Sequence, residues 1–136
     1  MSVPNIVRPL TEWRDPRHRR GLAGELAAAR DLEARGWTVL AHRFRFGHSD
    51  LDLVARQGNL VAFLEVKTRQ SDAFGGGLNA VGWRKRQSIA VGAMIWISRF
   101  GQPQDSYRFD LVVVELSRGG FPQIIHIEDA WRHVEK

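Results

Sequence analysis

The chain has no cysteine, which excludes disulfide staples and cysteine-based zinc sites. That absence agrees with a reducing compartment. Long apolar runs are missing as well. The longest mainly apolar stretch, Ile89 to Ile97, is far shorter than the roughly 20 residues a membrane-spanning helix requires. The first twenty residues hold Arg8, Arg14, Arg17, Arg19 and Arg20 and no apolar run, unlike a secretory signal peptide. A soluble, cytoplasmic protein with no membrane partner is expected. Acidic residues are absent between Asp72 and Asp105, and that gap contains Arg84, Lys85, Arg86 and Arg99.

The chain has 136 residues, enough for one domain with a core of its own. The net charge is +5. Residues 1–20 carry five arginines against Glu12 and Asp15, with Pro4, Pro9 and Pro16 among them. They read as a basic, mobile arm that Trp13 docks locally, and residues 21–136 as a single domain. In the domain, Leu22, Leu26, Ala29 and Leu32 recur at helical spacing, so Gly21 to Arg35 is predicted as a helix that Gly36 ends. Strands are predicted over Trp37–His42, Asp50–Arg56, Leu60–Thr68, Tyr107–Leu116 and Ile124–Ile127, rich in bulky and β-branched residues. Arg43–His48 reads as a loop and Gly75–Gly77 as a hinge, without the lysine of a phosphate-binding loop. A second helix is predicted over Leu78–Ser98, with Val81, Ile89, Ala93 and Trp96 toward the core, and a short final helix over Glu128–Val134. The order is helix, three strands, helix, strand, strand.

The chemistry concentrates in Ser49-Asp50-Leu51-Asp52-Leu53 and Leu64-Glu65-Val66-Lys67. If Gly58-Asn59 between them is a two-residue hairpin turn, Gln57 pairs with Leu60. Counting back, Asp52 faces Glu65 and Asp50 faces Lys67. Opposed residues on one sheet face have Cβ atoms roughly 4.5–5.5 Å apart. Two carboxylates so placed repel each other unless a cation lies between them. Glu65 and Lys67 share a face, because strand side chains alternate. Two acids and a lysine on one face suit a divalent metal working on phosphate. Mg²⁺ or Mn²⁺ takes hard oxygen ligands, here Asp52, Glu65 and the Val66 carbonyl, and keeps several waters. Lys67 is a compact charge that orients water or stabilises the phosphate oxygens.

A simpler reading competes with this one. Charged residues on an exposed hairpin face are ordinary, and Asp50 with Lys67 is a plain cross-strand ion pair. Against it, the flanking residues are apolar on both faces, which implies strands covered on both sides. Acids buried in such strands need a metal or a hydrogen-bonding network. The basic residues Arg84, Lys85, Arg86 and Arg69 are candidate nucleic-acid contacts, their competing role being a solvated helix face. His42, His48 and His126 lack zinc-ligand spacing. Trp83 beside Arg84 suits stacking on an unpaired base, although its spacing fits core packing better.

Taken in order, a longer set of residues resembles a known family. Gly24-Glu25, Gly36-Trp37, Asp52-Leu53-Val54-Ala55, Phe63 to Arg69, Phe74-Gly75, Val81 with Lys85, and Tyr107-Arg108-Phe109-Asp110 resemble the YraN family of small, largely uncharacterised bacterial proteins. The resemblance implies a restriction-endonuclease-like, PD-(D/E)XK α/β core, a mixed central sheet flanked by helices. It implies Asp52 and Glu65 as the metal-binding acids, Lys67 as the motif's lysine, and Glu25 as the first-helix acid that often completes such sites. Without the resemblance, Glu25 reads as a favourable charge in the first helical turn. Lys85 is expected either near the site or on a solvated face. The function implied is metal-dependent hydrolysis of DNA, including structured or branched DNA, with a homodimer as a further implication. One departure stands out: relatives usually have Gly-Glu-Ile-Asp where this chain has Ser49-Asp50-Leu51-Asp52. The alternative function is a nucleic-acid-binding module that keeps the nuclease fold without catalysis. A third reading is a protein-binding scaffold using the last strands.

Overall fold

The computed structural model of the chain describes Trp13 and residues 19–70, 81–117 and 119–132. The rest of the expected arm and the Gly75–Gly77 hinge lie outside the described residues. Helix α1 runs Arg19–Ala34 and buries Ala28, Ala29 and Leu32. Its end forms where expected: Gly36 takes φ +90° and the Trp37 N–H reaches back to the Leu32 carbonyl at 3.0 Å. That six-residue closure needs a left-handed residue, which glycine supplies without a Cβ clash.

Three strands follow as an antiparallel meander: β1 (Thr38–Phe46), β2 (Ser49–Gln57) and β3 (Leu60–Gln70). Strand β1 is longer than predicted, and the expected loop shrinks to a turn at Gly47-His48. Helix α2 (Trp83–Phe100) then carries the chain to β4 (Ser106–Leu116), which pairs in parallel with β3. A parallel neighbour cannot be reached by a tight turn, so a crossover is required. Strand β5 (Gln123–Trp131) closes the sheet antiparallel to β4, giving the order β1-β2-β3-β4-β5.

The predicted helix over Glu128–Val134 does not form in its described part. The strand continues to Trp131, whose ring stacks on Phe109 at 5.4 Å. Asp110, fully buried, accepts from the Asp129 N–H at 2.9 Å and from Arg108 Nε and Nη2, and meets His126 Nε2 at 2.7 Å. A buried carboxylate must be satisfied, and those bonds hold β5 in the sheet.

The sheet has a helix on each side. Leu53, Ala55, Ala62, Leu64, Val112 and Val114 pack with α1, while Val54, Val61, Phe63, Leu111 and Val113 pack with Ile89, Ala93 and Trp96 of α2. Double coverage explains strands that are apolar on both faces. Among the described residues no helix is long and apolar enough to cross a membrane.

Two glycines set the helix-to-sheet distances. A Cβ at Gly24 on α1 would lie 1.8 Å from Thr68 Oγ1 and 3.0 Å from Thr68 Cβ, and one at Gly92 on α2 would lie 3.1 Å from Leu51 Cγ. Alanine at Gly24 gains about 1 kcal/mol of helix propensity, but forcing an atom into a filled site costs about 1–3 kcal/mol. The overlap here is severe, so Gly24→Ala is expected to lose about 1–2 kcal/mol net. Thermal unfolding should show a midpoint several degrees lower, partly restored by Thr68→Ala in the same chain.

Candidate functional site

The β2–β3 register agrees with the hairpin turn read from the sequence. Gln57 pairs with Leu60, and pairing continues to Leu53 opposite Leu64. There the ladder stops. Leu53 packs on the α1 side and Leu51 on the α2 side, so β2 turns over at Asp52. The next backbone donor, Val66 N–H, gives its hydrogen to Asp52 Oδ2 at 2.9 Å. The side chain of Asp52 thus replaces a backbone partner and fixes its own position in the opening.

Asp52 and Glu65 come together in that opening, close enough for each carboxyl to act on the other's proton affinity. Glu65 is buried, its Oε1 lies 3.7 Å from Lys85 Nζ, and its Oε2 has no partner. Burial, and then the charge of Asp52, push the Glu65 carboxyl up to about 8, against the pull of Lys85 and Lys67. Burial also raises Asp52, as does Glu25, while the Val66 N–H opposes them. Both carboxyls are held above their ordinary range because neither has enough positive charge beside it.

Glu25 is brought close by the Gly24 contact but is occupied. Its Oε1 meets His42 Nε2 at 2.5 Å and Arg43 Nε at 2.8 Å. Burial would raise this carboxyl, but hydrogen bonds from His42 and Arg43 outweigh it and hold it low. The first-turn reading of Glu25 is corrected: α1 begins at Arg19, its first turn holds no acid, and Glu25 faces the sheet. His42 is itself stacked on Trp13, ring centroids 3.6 Å apart. Trp13 therefore docks as expected, and onto this cluster.

His42 and Arg43 were missed by sequence reasoning. Arg43 has φ +52°, uncommon for a residue with a side chain. It falls between the pairs His42–Leu53 and Phe44–Leu51, so it stands across from Asp52. A β1–β2 turn at Gly47-His48 would have revealed this, but those residues were read as part of a loop.

Other sequence-predicted residues have mixed fates. Lys67 acts on Glu65 through its charge, and Lys85 faces Glu65 directly. Val66, expected to offer its carbonyl, has its N–H on Asp52. The expected Asp50–Lys67 opposition is corrected: the ladder ends before it, and Asp50 Oδ2 lies 3.7 Å from Arg45 Nε on β1, its Oδ1 unpartnered. Arg69 is committed to its strand neighbour Glu115. Arg86 bonds the Val81 carbonyl at 2.7 Å and lies over Trp131. Arg84 is exposed. Core packing is overturned for Trp83, which is 65% exposed.

Among the described residues no group of three His, Cys, Asp or Glu side chains is arranged to hold a metal. Half-buried Asp52 and buried Glu65 with its one orphaned oxygen suit a cation that needs only one or two carboxylates and keeps its waters, as Mg²⁺ does. They do not suit zinc, which takes three or four protein ligands.

A model of "Uncharacterised protein family UPF0102" matches residues 24–114. A UPF0102 protein of Trichlorobacter lovleyi is 42% identical over 113 residues, 82% of this chain and 88% of that relative. One of Nocardia farcinica is 39% identical over 108 residues, 79% of this chain and 85% of the relative. One of Rhodococcus jostii is 34% identical over 111 residues, covering 82% and 94%.

The raised carboxyl has a consequence for stability. Folded Glu65 keeps its proton up to about 8, against an ordinary value of 4.5. Between those values the folded chain binds more protons than the unfolded one, so stability falls as pH rises through the window and levels off above it. Glu65→Gln should remove most of that slope. Urea unfolding at pH 5 and pH 8.5 is expected to show the variant more stable than the parent at the higher pH, by up to a few kcal/mol, with the gap closing at pH 5.

Proposed function

The chain belongs to the uncharacterised protein family UPF0102, also called YraN, and from the geometry of its hairpin we propose that it is a metal-dependent nuclease of the PD-(D/E)XK kind acting on DNA. The observation that carries this reading is the Asp52–Glu65 pair at the mouth of the sheet, Asp52 half-buried and Glu65 buried with its Oε2 unpartnered. A pair of acids that structure alone required would have been given cations or donors. This pair is left short of positive charge in a sheet whose deepest acid, Asp110, is given its partners.

The roles follow from position. Asp52 and Glu65 would hold Mg²⁺ or Mn²⁺, and Val66 keeps Asp52 aimed through its N–H. A bound divalent cation polarises a phosphodiester and lowers the pKa of a nearby water. Lys67, on the face of Glu65, supplies positive charge to the oxygens on phosphorus as water adds and the P–O bond breaks. Lys85 screens Glu65 from the other side, and with Arg84 it offers a basic approach for the phosphate backbone. A symmetric branched DNA would engage two copies of the chain.

One observation favours the non-catalytic alternative. Asp50 stands where relatives usually have the longer acid, and its Oδ1 reaches no partner. A chain retaining the fold and the basic surface but losing its metal would bind DNA without cutting it.

The proposed activity predicts cutting of single-stranded, flapped or four-way DNA with Mg²⁺ or Mn²⁺, with Glu65→Ala and Lys67→Ala each slowing it about a hundredfold or more. Cutting that survives both substitutions would overturn it. Calorimetry with Mn²⁺ should give one saturable site that Asp52→Ala abolishes. DNA binding with no Mn²⁺ site would instead support the binding module.

A further inference from the structure

The chain has five tryptophans, and four of them are packed. Trp13 stacks on His42, Trp37 lies against His126 and Arg108, Trp96 against Phe63 and Phe100, and Trp131 against Phe109 and Arg86. Trp83 is different. It is 65% exposed and has no ring or cation partner among the described residues. It is also the first residue of α2, two positions before Lys85, whose Nζ lies 3.7 Å from Glu65.

The platform beneath Trp83 is fixed. Arg86 ties the helix start to the Val81 carbonyl and covers Trp131, and Ser88 Oγ donates to the His48 carbonyl at 3.4 Å. Residues two apart on a helix point to different flanks. Lys85 therefore turns to the carboxylates, while Trp83 lies on the flank it shares with Arg86. The two are separated by about 3 Å along the axis. A strand whose phosphate meets Lys85 would present a base to the other flank, where the indole face is bare. The residues alongside, Arg84 and Arg86, carry charge of the sign a polyanion requires.

We propose that Trp83 is a stacking residue for an unpaired base of a DNA strand next to the bond at the Asp52–Glu65 site. This inference rests on the nuclease reading of that site and narrows it. Bases in a duplex have their faces covered by their neighbours, so an exposed indole selects nucleotides that are unpaired, as in single strands and flaps. Arg84 and Lys85 contribute to binding any DNA, whereas Trp83 discriminates by strandedness.

The test uses the full chain, without divalent metal so that nothing is cut, and fluorescence anisotropy of labelled DNA. A single strand, a duplex and a duplex with a single-stranded flap share one sequence. Stacking on one base is worth about 1–3 kcal/mol, so Trp83→Ala should weaken the single strand and the flap about fivefold or more and leave the duplex unchanged. Trp83→Phe should keep most of the parent affinity. An unchanged thermal midpoint for Trp83→Ala confirms that the fold is retained. Equal loss on all three DNAs, no loss on any, or no binding of the parent would overturn the inference. The two readings separate cleanly. Cutting of single-stranded or flapped DNA that Trp83→Ala leaves unchanged overturns this inference and leaves the nuclease standing, whereas Trp83-dependent binding by a chain that never cuts does the reverse.

Discussion

The closeness of Asp52 and Glu65, in an opening where burial penalises the charged form of each, is the constraint around which this part of the sheet is arranged. Elsewhere the interior follows ordinary rules: apolar side chains fill both faces, and the deeply buried acid Asp110 is satisfied by Arg108, His126 and a backbone N–H. Comparing the two acid sites is instructive. Both suffer desolvation, which alone raises a carboxyl. At Asp110 hydrogen bonds outweigh burial and hold the group low, whereas at Glu65 burial and a like charge carry it up to about 8. The same fold thus solves the buried-acid problem at one place and leaves it unsolved at another. A site left unsolved in this way is where an incoming cation gains the most.

Getting two acids into that position requires the surrounding structure to yield. Strand β2 turns over between Leu53 and Leu51, β1 takes a left-handed residue at Arg43, and α1 approaches β3 closely enough that only glycine fits at Gly24. Each of these weakens regular structure, by loss of ladder bonds, by backbone strain or by lower helix propensity. They fall within a few residues of one another across three elements. Dispersed, they would be unremarkable irregularities. Gathered, they open a mouth between β2 and β3 with charged groups from both helices at its rim.

Much of this was legible in the chain. Period-two patterning and a Gly-Asn turn were enough to pair Gln57 with Leu60 and so bring Asp52 toward Glu65, because hairpin register is set by the turn. The order of elements followed from apolar spacing and glycine punctuation. What escaped were features that depend on a third strand. Reading Arg43–His48 as a loop hid the β1–β2 register, and with it the position of Arg43 across from Asp52 and of His42 beside Glu25. Asp50 was assigned to Lys67 because the hairpin was assumed to stay regular, whereas it turns toward Arg45 once the ladder ends. Trp83 was read as core from its spacing. Helical periodicity says which residues share a face, but at the first turn of a helix the sheet no longer lies beneath that face. The last strand was misread as a helix at Glu128, since nothing local announces the partners that Asp110 supplies.

Glu25 is neutralised by Arg43 and His42 at hydrogen-bond distance, and its carboxyl is held low. Lys85 is 3.7 Å from Glu65 and mostly at the surface, so solvent screens much of its effect. Asp52 has a backbone N–H and a neighbouring carboxyl. The imbalance is therefore local to two side chains, not spread over three acids. Two monovalent cations, Lys85 and Lys67, already act on Glu65 and leave it raised. In the proposed reading, a divalent ion that needs only one or two carboxylates and keeps its waters would answer that deficit.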